Sequence, residues 1–452
     1  MRFFWERRSR SPELGPLLRE DVADDGDNHD RQYSPSPQAT LDNQIDAQTQ
    51  TDSMPKIMAG MFCFANMGLF LSSIGVLLPR LSVYYGLTDA QVSLIFLFGP
   101  VGYLIAAQLN RLIHARLGRI GVAVIGPLLH VVTSVGGAVH PPFAVFLIAW
   151  AVGSFGTGLL DGSLCAWAGA HENANVVSGL LHGSFSVGAG LGPFLAGTLI
   201  ESAQQEQWYY WYYLLLSTSL IELCTMVIAF RCENVKRYHE QNNNATTQED
   251  SVNPASTFSR GVVWICATYL LVYVGTEAVI SGWIVVFMTR IRHASLYESG
   301  LCSTAFWVGM ACGRLVLGIV TERVGLRRAV TVYLVFAMLL NILFAVVEMT
   351  LVSAILIAFV GFFFGPLFPS SIVMLLGFLP KETHVRAVSF VASIGQVGAA
   401  LLPFALGTMA QGIGIQSLPI VVSICITVMF MGWNLFPHLP VNAAPDELNH
   451  ED

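Results

Sequence analysis

Charge is what this chain has least of. Only 12% of its 452 residues are Asp, Glu, Lys or Arg, and 54% are hydrophobic. A soluble domain carries about a quarter charged residues to cover its surface, so a water-soluble globular protein is excluded. Paired cysteines are missing as well. Eight cysteines are present, but no CxxC pair or Cys/His ligand spacing occurs, and Cys63, Cys165, Cys266 and Cys312 lie in apolar runs. Neither a disulfide framework nor a metal site is expected, and the cysteines read as small packing residues. HExxH, GxSxG and clustered histidines are absent, which leaves an intramembrane enzyme without a nucleophile or metal. No nucleotide-binding motif is there to drive ATP-powered pumping, and no filter loop to make a channel. No cofactor and no nucleic-acid partner are expected.

Long apolar runs are what the chain has most of. Runs near the roughly 20 residues needed to cross a bilayer begin near Ile57, Gln91, Gly121, Phe143, Val176 and Tyr209. After a polar gap they resume near Gly261, Gly300, Ala329, Leu351, Val385 and Ile415. The expected fold is an all-α membrane protein, with twelve transmembrane helices in two six-helix, pseudo-symmetric bundles over 56–231 and 260–437. Residues 1–55 are rich in Asp, Ser, Gln and Pro and read as a disordered tail, since such a segment cannot bury enough apolar surface to fold alone. Residues 232–259 read as a linker and 438–452 as a second tail. Lys and Arg crowd one set of connections, including Arg111, Arg116, Arg119, Lys236, Arg237, Arg323, Arg327 and Arg328, while the other set holds Arg80, Arg290 and Arg292. That bias places both termini, and the linker, in the cytosol.

The stretch GAGLGPFLAG at 188–197 returns as GAALLPFALG at 398–407. Glycine and proline kept at matching places in two halves of a membrane chain mark a two-lobed transporter. In the second half Gly318, Glu322, Arg323, Gly325, Arg327 and Arg328 follow the spacing G-x-x-x-[DE]-R-x-G-x-[RK]-[RK]. The glycines would let helices approach, and the acid and arginines would form a charge cluster latching the cytoplasmic side. Its first-half counterpart keeps Arg111, Arg116, Gly118 and Arg119 but lacks the acid.

Charges inside apolar spans are costly and mark candidate sites. Asp161 is the clearest, because a desolvated carboxyl favours its neutral form and can carry a proton. Glu277 is a second carboxyl, able to bind substrate hydroxyls or to pair with an arginine such as Arg314. His182 can donate, accept and titrate. Trp167, Trp283, Phe306 and Trp307 could stack on a ligand, and Asn66 and Gln396 could orient one. His130 and Glu222, on the third and sixth spans, are expected to be structural.

Together GTGLLDGSLCAWAG, LLHGSFSVGAGLGP, YVGTEAVISGW, FWVGMACGR, GFFFGPLFPSS, GQVGAALLPF and the loop signature resemble the major facilitator superfamily, in its fucose–proton symporter-like branch and especially the fungal members. The resemblance implies alternating access and proton-coupled uptake of a small solute such as a sugar, with Asp161 at the position of a fourth-span acid linked to proton coupling. Two positions depart from that pattern. The first span has no acid, and Cys165 stands where relatives commonly have Asn, four residues after Asp161. Proton-driven export of a metabolite or drug, or a non-transporting receptor on the same fold, remain as alternatives. The expected partners are a small-molecule substrate, protons and the lipid bilayer around a monomer. The plasma membrane is the expected location, with a vacuolar membrane as the alternative.

Overall fold

The computed structural model describes residues 37–169, 171, 174–202, 207–237, 261–379 and 383–436, and their regular elements are all helices. Among the described residues, eleven helical stretches are long and apolar enough to cross a bilayer. The longest of them, Leu94–Ala138, is broken at Gly118 (φ 70°, ψ −175°), so it supplies the second and third spans and brings the number of crossings to twelve. The first span, Met54–Tyr85, is the apolar part of a helix recorded from Pro37. The fourth to sixth are Phe143–Gly169, Ala174–Ser202 and Tyr210–Phe230. The seventh to ninth are Gly261–Ile291, Leu296–Val324 and Leu326–Val346. The tenth is built from Thr350–Phe364 and Leu367–Leu376, the eleventh is His384–Ile413 and the twelfth Leu418–Leu435. Of the expected 1–55 tail, residues 1–36 lie outside the described residues, and the backbone of 37–53 is helical. The expected linker is described only as far as residue 237, and the tail at 438–452 lies outside.

The repeat seen in the sequence is a repeat of contacts. A Cβ added to Gly102 would fall under 3.0 Å from the Ala151 carbonyl oxygen, and one added to Gly309 would do the same at Ala358. Each of these four residues lies 207 positions from its counterpart. Gly158 meets the Tyr103 carbonyl as Gly365 meets that of Met310. Gly188, on the fifth span, lies against Ala65 of the first, and Gly398, on the eleventh, against Leu271 of the seventh. Without a hydrophobic force between helices in lipid, close backbone approach of this kind supplies much of the packing energy. Gly118 and its counterpart Gly325 both take positive φ, at 70° and 95°. At these two corners the chain turns from one span into the next within a single residue, in a backbone region that glycine occupies at little cost.

The lobes meet at the end of the bundle away from Met54 and Phe436. There Arg290 donates two hydrogen bonds to Asp89, at 2.7 and 2.8 Å. Tyr297 donates its backbone N–H to Glu201 at 2.5 Å. Gly300 packs on the Pro193 carbonyl, and Gly282 on Phe96. Toward the terminal end the fifth and eighth spans part. Among the described residues, the last bond between them is from Arg314 to Ser186 Oγ, at 3.3 Å, and beyond it Gly179, Gly183 and Gly318 face open space. The structure is therefore closed at the far end and open at the end that carries Met54 and Phe436.

Candidate functional site

Asp161 sits at the mouth of that opening. Tyr103, from the second span, donates its hydroxyl hydrogen to Asp161 Oδ2. One helical turn on, Cys165 Sγ donates to Oδ1 at 3.4 Å and lies 3.9 Å from His182 Nε2 on the fifth span. His182 is exposed, with its ring edge-on to Phe64 at 5.4 Å. Sequence reading found Asp161 and His182 singly. It missed Tyr103 altogether and took Cys165 as a packing residue and a departure from a pattern, although its sulfur lies between them. The i,i+4 spacing of Asp161 and Cys165 could have shown that they share a helix face.

Across the gap the second lobe offers Arg314, Glu277 and Gln396. Arg314 is half-buried and bonds Ser186 Oγ and Met310 Sδ, both at 3.3 Å. Glu277 has Arg314 and Tyr273 as its polar neighbours. Among the described residues, however, the two charges form no ion pair within 4.0 Å. The direct pair suggested for them is not made, because Arg314 reaches across to the other lobe. Gln396 is half-buried, with no hydrogen-bond partner among the described residues.

The aromatic and amide candidates lie elsewhere than on an open wall. Trp283 is fully buried and donates to the Pro403 carbonyl at 2.9 Å, beside Phe96, so it fills the closed far end. Trp307 is 2% exposed, bonds Ser281 Oγ at 3.2 Å and touches Phe185 across the lobes. Trp167 packs edge-on against Phe230, and Phe306 is buried against Trp307. Asn66 is 1% exposed and points into the first lobe, donating to Glu222 at 2.5 Å. Glu222 also meets His130 at 2.9 Å, so the two residues expected to be structural form one network with Asn66.

The loop signature does not form the latch expected of it. Glu322, Arg323 and Arg328 are exposed and make no ion pair among the described residues, and nothing packs on Gly318. Arg327 instead donates to the backbone carbonyls of Phe436 and Asn434, at 3.0 and 3.2 Å, capping the last span where its carbonyls lack helical partners. With the lobes apart at this end, Glu322 has no facing arginine to meet. In the first half Arg111 and Arg116 are exposed, while Arg119 pairs with Glu233 at 3.1 Å. Glu233 follows the sixth span, and it supplies from a distant part of the chain the acid that the first-half signature lacks. Lys56 meets the same carboxylate at 2.6 Å, and the Glu233 carbonyl accepts from Ile120, just past the turn at Gly118.

Burial works to raise the Glu233 carboxyl, but the hydrogen bond and charge of Lys56, with Arg119 and Arg237, hold it below its usual range. A depressed folded-state value stabilises the protein above the ordinary carboxylate range, and that contribution is lost as pH falls through the lowered value. Glu233→Gln is accordingly expected to lower the melting temperature at neutral pH, with the difference from wild type shrinking in acid. A difference that stays constant down to acid pH would show that the charge is not what Glu233 contributes.

The chain is similar to known proteins. The family model of the Major Facilitator Superfamily matches residues 60–290 and 265–451. Bypass of stop codon protein 6 of Saccharomyces cerevisiae is 25% identical over 413 residues, covering 84% of this chain and 82% of that protein. Among solved structures, a D-xylose–proton symporter superposes with a TM-score of 0.70 at 14% identity, over 85% of this chain and 98% of its own. A major facilitator superfamily transporter, FucP, in the outward conformation gives 0.57 at 15% identity, over 86% and 100%.

Proposed function

The chain belongs to the major facilitator superfamily, a family of multi-pass membrane transporters rather than enzymes, and we propose that it is a secondary active, proton-coupled carrier of a small organic solute. The observation that carries this reading is the cluster of Tyr103, Asp161, Cys165 and His182 at the mouth of the opening between the lobes. A titratable carboxyl and imidazole there can exchange a proton with water at one side of the membrane. Facing them, Arg314, Glu277 and Gln396 provide donors and acceptors suited to a polar, hydroxyl-bearing solute. A sugar fits that chemistry, and the likeness to a xylose–proton symporter supports it.

In this reading the open terminal end is the cytoplasmic side, as the Lys/Arg bias of the connections favours. Alternating access would proceed by breaking the far-end contacts and joining the terminal ends, where Glu322 could then meet an arginine of the other lobe. The expected site of action is the plasma membrane.

The test is solute flux into proteoliposomes under an imposed pH gradient, with sugars, amino acids and apolar metabolites supplied in turn. Uptake that collapses when a protonophore dissipates the gradient supports the reading. Saturable binding without flux of any bound solute would instead make the protein a receptor. The far-end pair gives a separate check on the motion. Arg290→Gln is expected to raise labelling of a cysteine introduced at Ser93, which is fully buried beside Gly407, by a water-soluble maleimide. Unchanged labelling would mean that the Arg290–Asp89 pair does not hold that end closed.

A further inference from the structure

Four side chains from four spans meet in the first lobe, all but Thr157 at most 1% exposed. Asn66 Nδ2 donates to Glu222 Oε2 at 2.5 Å, and His130 Nδ1 lies 2.9 Å from the same oxygen. His130 Nε2 lies 3.0 Å from Thr157 Oγ1, and Phe70 stacks on the imidazole at 5.2 Å. Glu222 is 0% exposed, and His130 and Asn66 are each 1%. Among the described residues, two buried polar atoms of this network have no hydrogen-bond partner: Glu222 Oε1 and Asn66 Oδ1.

Those two atoms belong to the same pair of residues, one on each side of the existing bond. If Glu222 is ionised and His130 is a cation, both oxygens remain buried acceptors with no hydrogen-bond donor among the described residues, an arrangement that folding disfavours. A proton on Glu222 Oε1 removes both deficits at once, since it can donate to Asn66 Oδ1 and close a two-bond acid–amide ring. The rest of the network then also closes without charge. His130 donates through Nδ1–H to Oε2 and accepts at Nε2 from the Thr157 hydroxyl, so the acid, the imidazole and the Thr157 hydroxyl are all paired and no net charge is left in the interior.

We propose that Glu222 is a proton-binding site, carrying its proton on Oε1 in a closed ring with the Asn66 amide. This site is separate from Asp161 and does not depend on Asp161 being the coupling group. The titratable groups around it are Cys63 of the first span, whose thiol is turned to the Glu222 carboxyl as a weak donor, His130 of the third and Asp161 of the fourth, the last acting on Cys63 rather than touching Glu222. From the fifth span, His182 lies against Phe64 and Cys165 instead. Loss of the proton would set two acceptor oxygens against each other and drive Asn66 away from Glu222. Asn66 adjoins Ala65, whose carbonyl seats Gly188. Proton occupancy thus bears on the packing of the first span against the fifth, next to the opening.

Infrared difference spectroscopy on the full chain in proteoliposomes at neutral pH tests this directly. Wild type minus Glu222→Gln is expected to show the loss of one deuterium-sensitive carboxylic-acid carbonyl band and no loss of carboxylate bands. Protonated Asp161 or Glu277 would cancel in that difference. Loss of a carboxylate pair instead would overturn the proposal. Glutamine can close the same ring by donating Nε2–H to Asn66 Oδ1, so Glu222→Gln should melt within about 3 °C of wild type, a shift corresponding to about 1 kcal/mol or less. A variant that fails to fold, or melts far lower, would equally refute a neutral Glu222.

Discussion

Proteoliposomes carrying Asp161→Asn are expected to lose solute accumulation driven by a pH gradient while keeping downhill exchange. Asparagine preserves the size of the side chain and an oxygen able to accept from the Tyr103 hydroxyl, so the fold and the solute site should survive. It cannot take up or release a proton. One pH unit is worth about 1.4 kcal/mol per proton, enough to sustain roughly tenfold accumulation at one proton per solute. Wild type should approach that ratio, and the variant should settle near equal concentrations on both sides. Counterflow measured without a gradient separates loss of coupling from loss of binding, because only the former leaves counterflow intact. If Asp161→Asn accumulates solute against the same gradient as wild type, Asp161 has no part in coupling.

The largest effect on folding is expected from the smallest substitutions, Gly188→Ala and Gly398→Ala. At each position the added methyl carbon would lie under 3.0 Å from a backbone carbonyl oxygen, of Ala65 or of Leu271. No rotamer change can relieve a clash between a Cβ and a main-chain atom, so whole helices must separate. The cost should reach or exceed about 3 kcal/mol, the upper end of ordinary overpacking. Gly179→Ala and Gly412→Ala are the matched controls, since nothing lies within 4 Å of either added carbon. Those two should be neutral or more stable, because alanine favours helix by up to about 1 kcal/mol. The readouts are yield of monodisperse protein in detergent and its melting temperature. A Gly188→Ala protein as stable as Gly179→Ala would mean that the first and fifth spans are not packed as closely as described.

The scaffold was legible in the sequence because it is written locally and twice. Apolar run length gives each span, and the GAGLGPF/GAALLPF pair points to Gly188 and Gly398, the two glycines with the closest neighbours in their helices. The polar network was not legible. Asn66, His130, Thr157 and Glu222 lie on four different spans, so no window of sequence holds two of their contacts. Glu222 had no visible partner because its partners are 92 and 156 residues away. The signature at 318–328 was legible as a pattern but not as a contact. Its charges need the other lobe at close range, whereas in this open arrangement Arg327 turns to the end of the last span.

The corners at Gly118 and Gly325 carry a mechanical consequence. A joint one residue long has no slack, so the second span cannot tilt without swinging the third, nor the eighth without the ninth. The tether of Ile120 to Glu233 extends that constraint to the end of the sixth span. A push on Tyr103 and Asp161 would therefore be spent on turning the lobe as a stiff lever, not absorbed by bending within it. Lengthening either corner by even one residue would add play to the lever, and solute flux should fall although binding and folding persist.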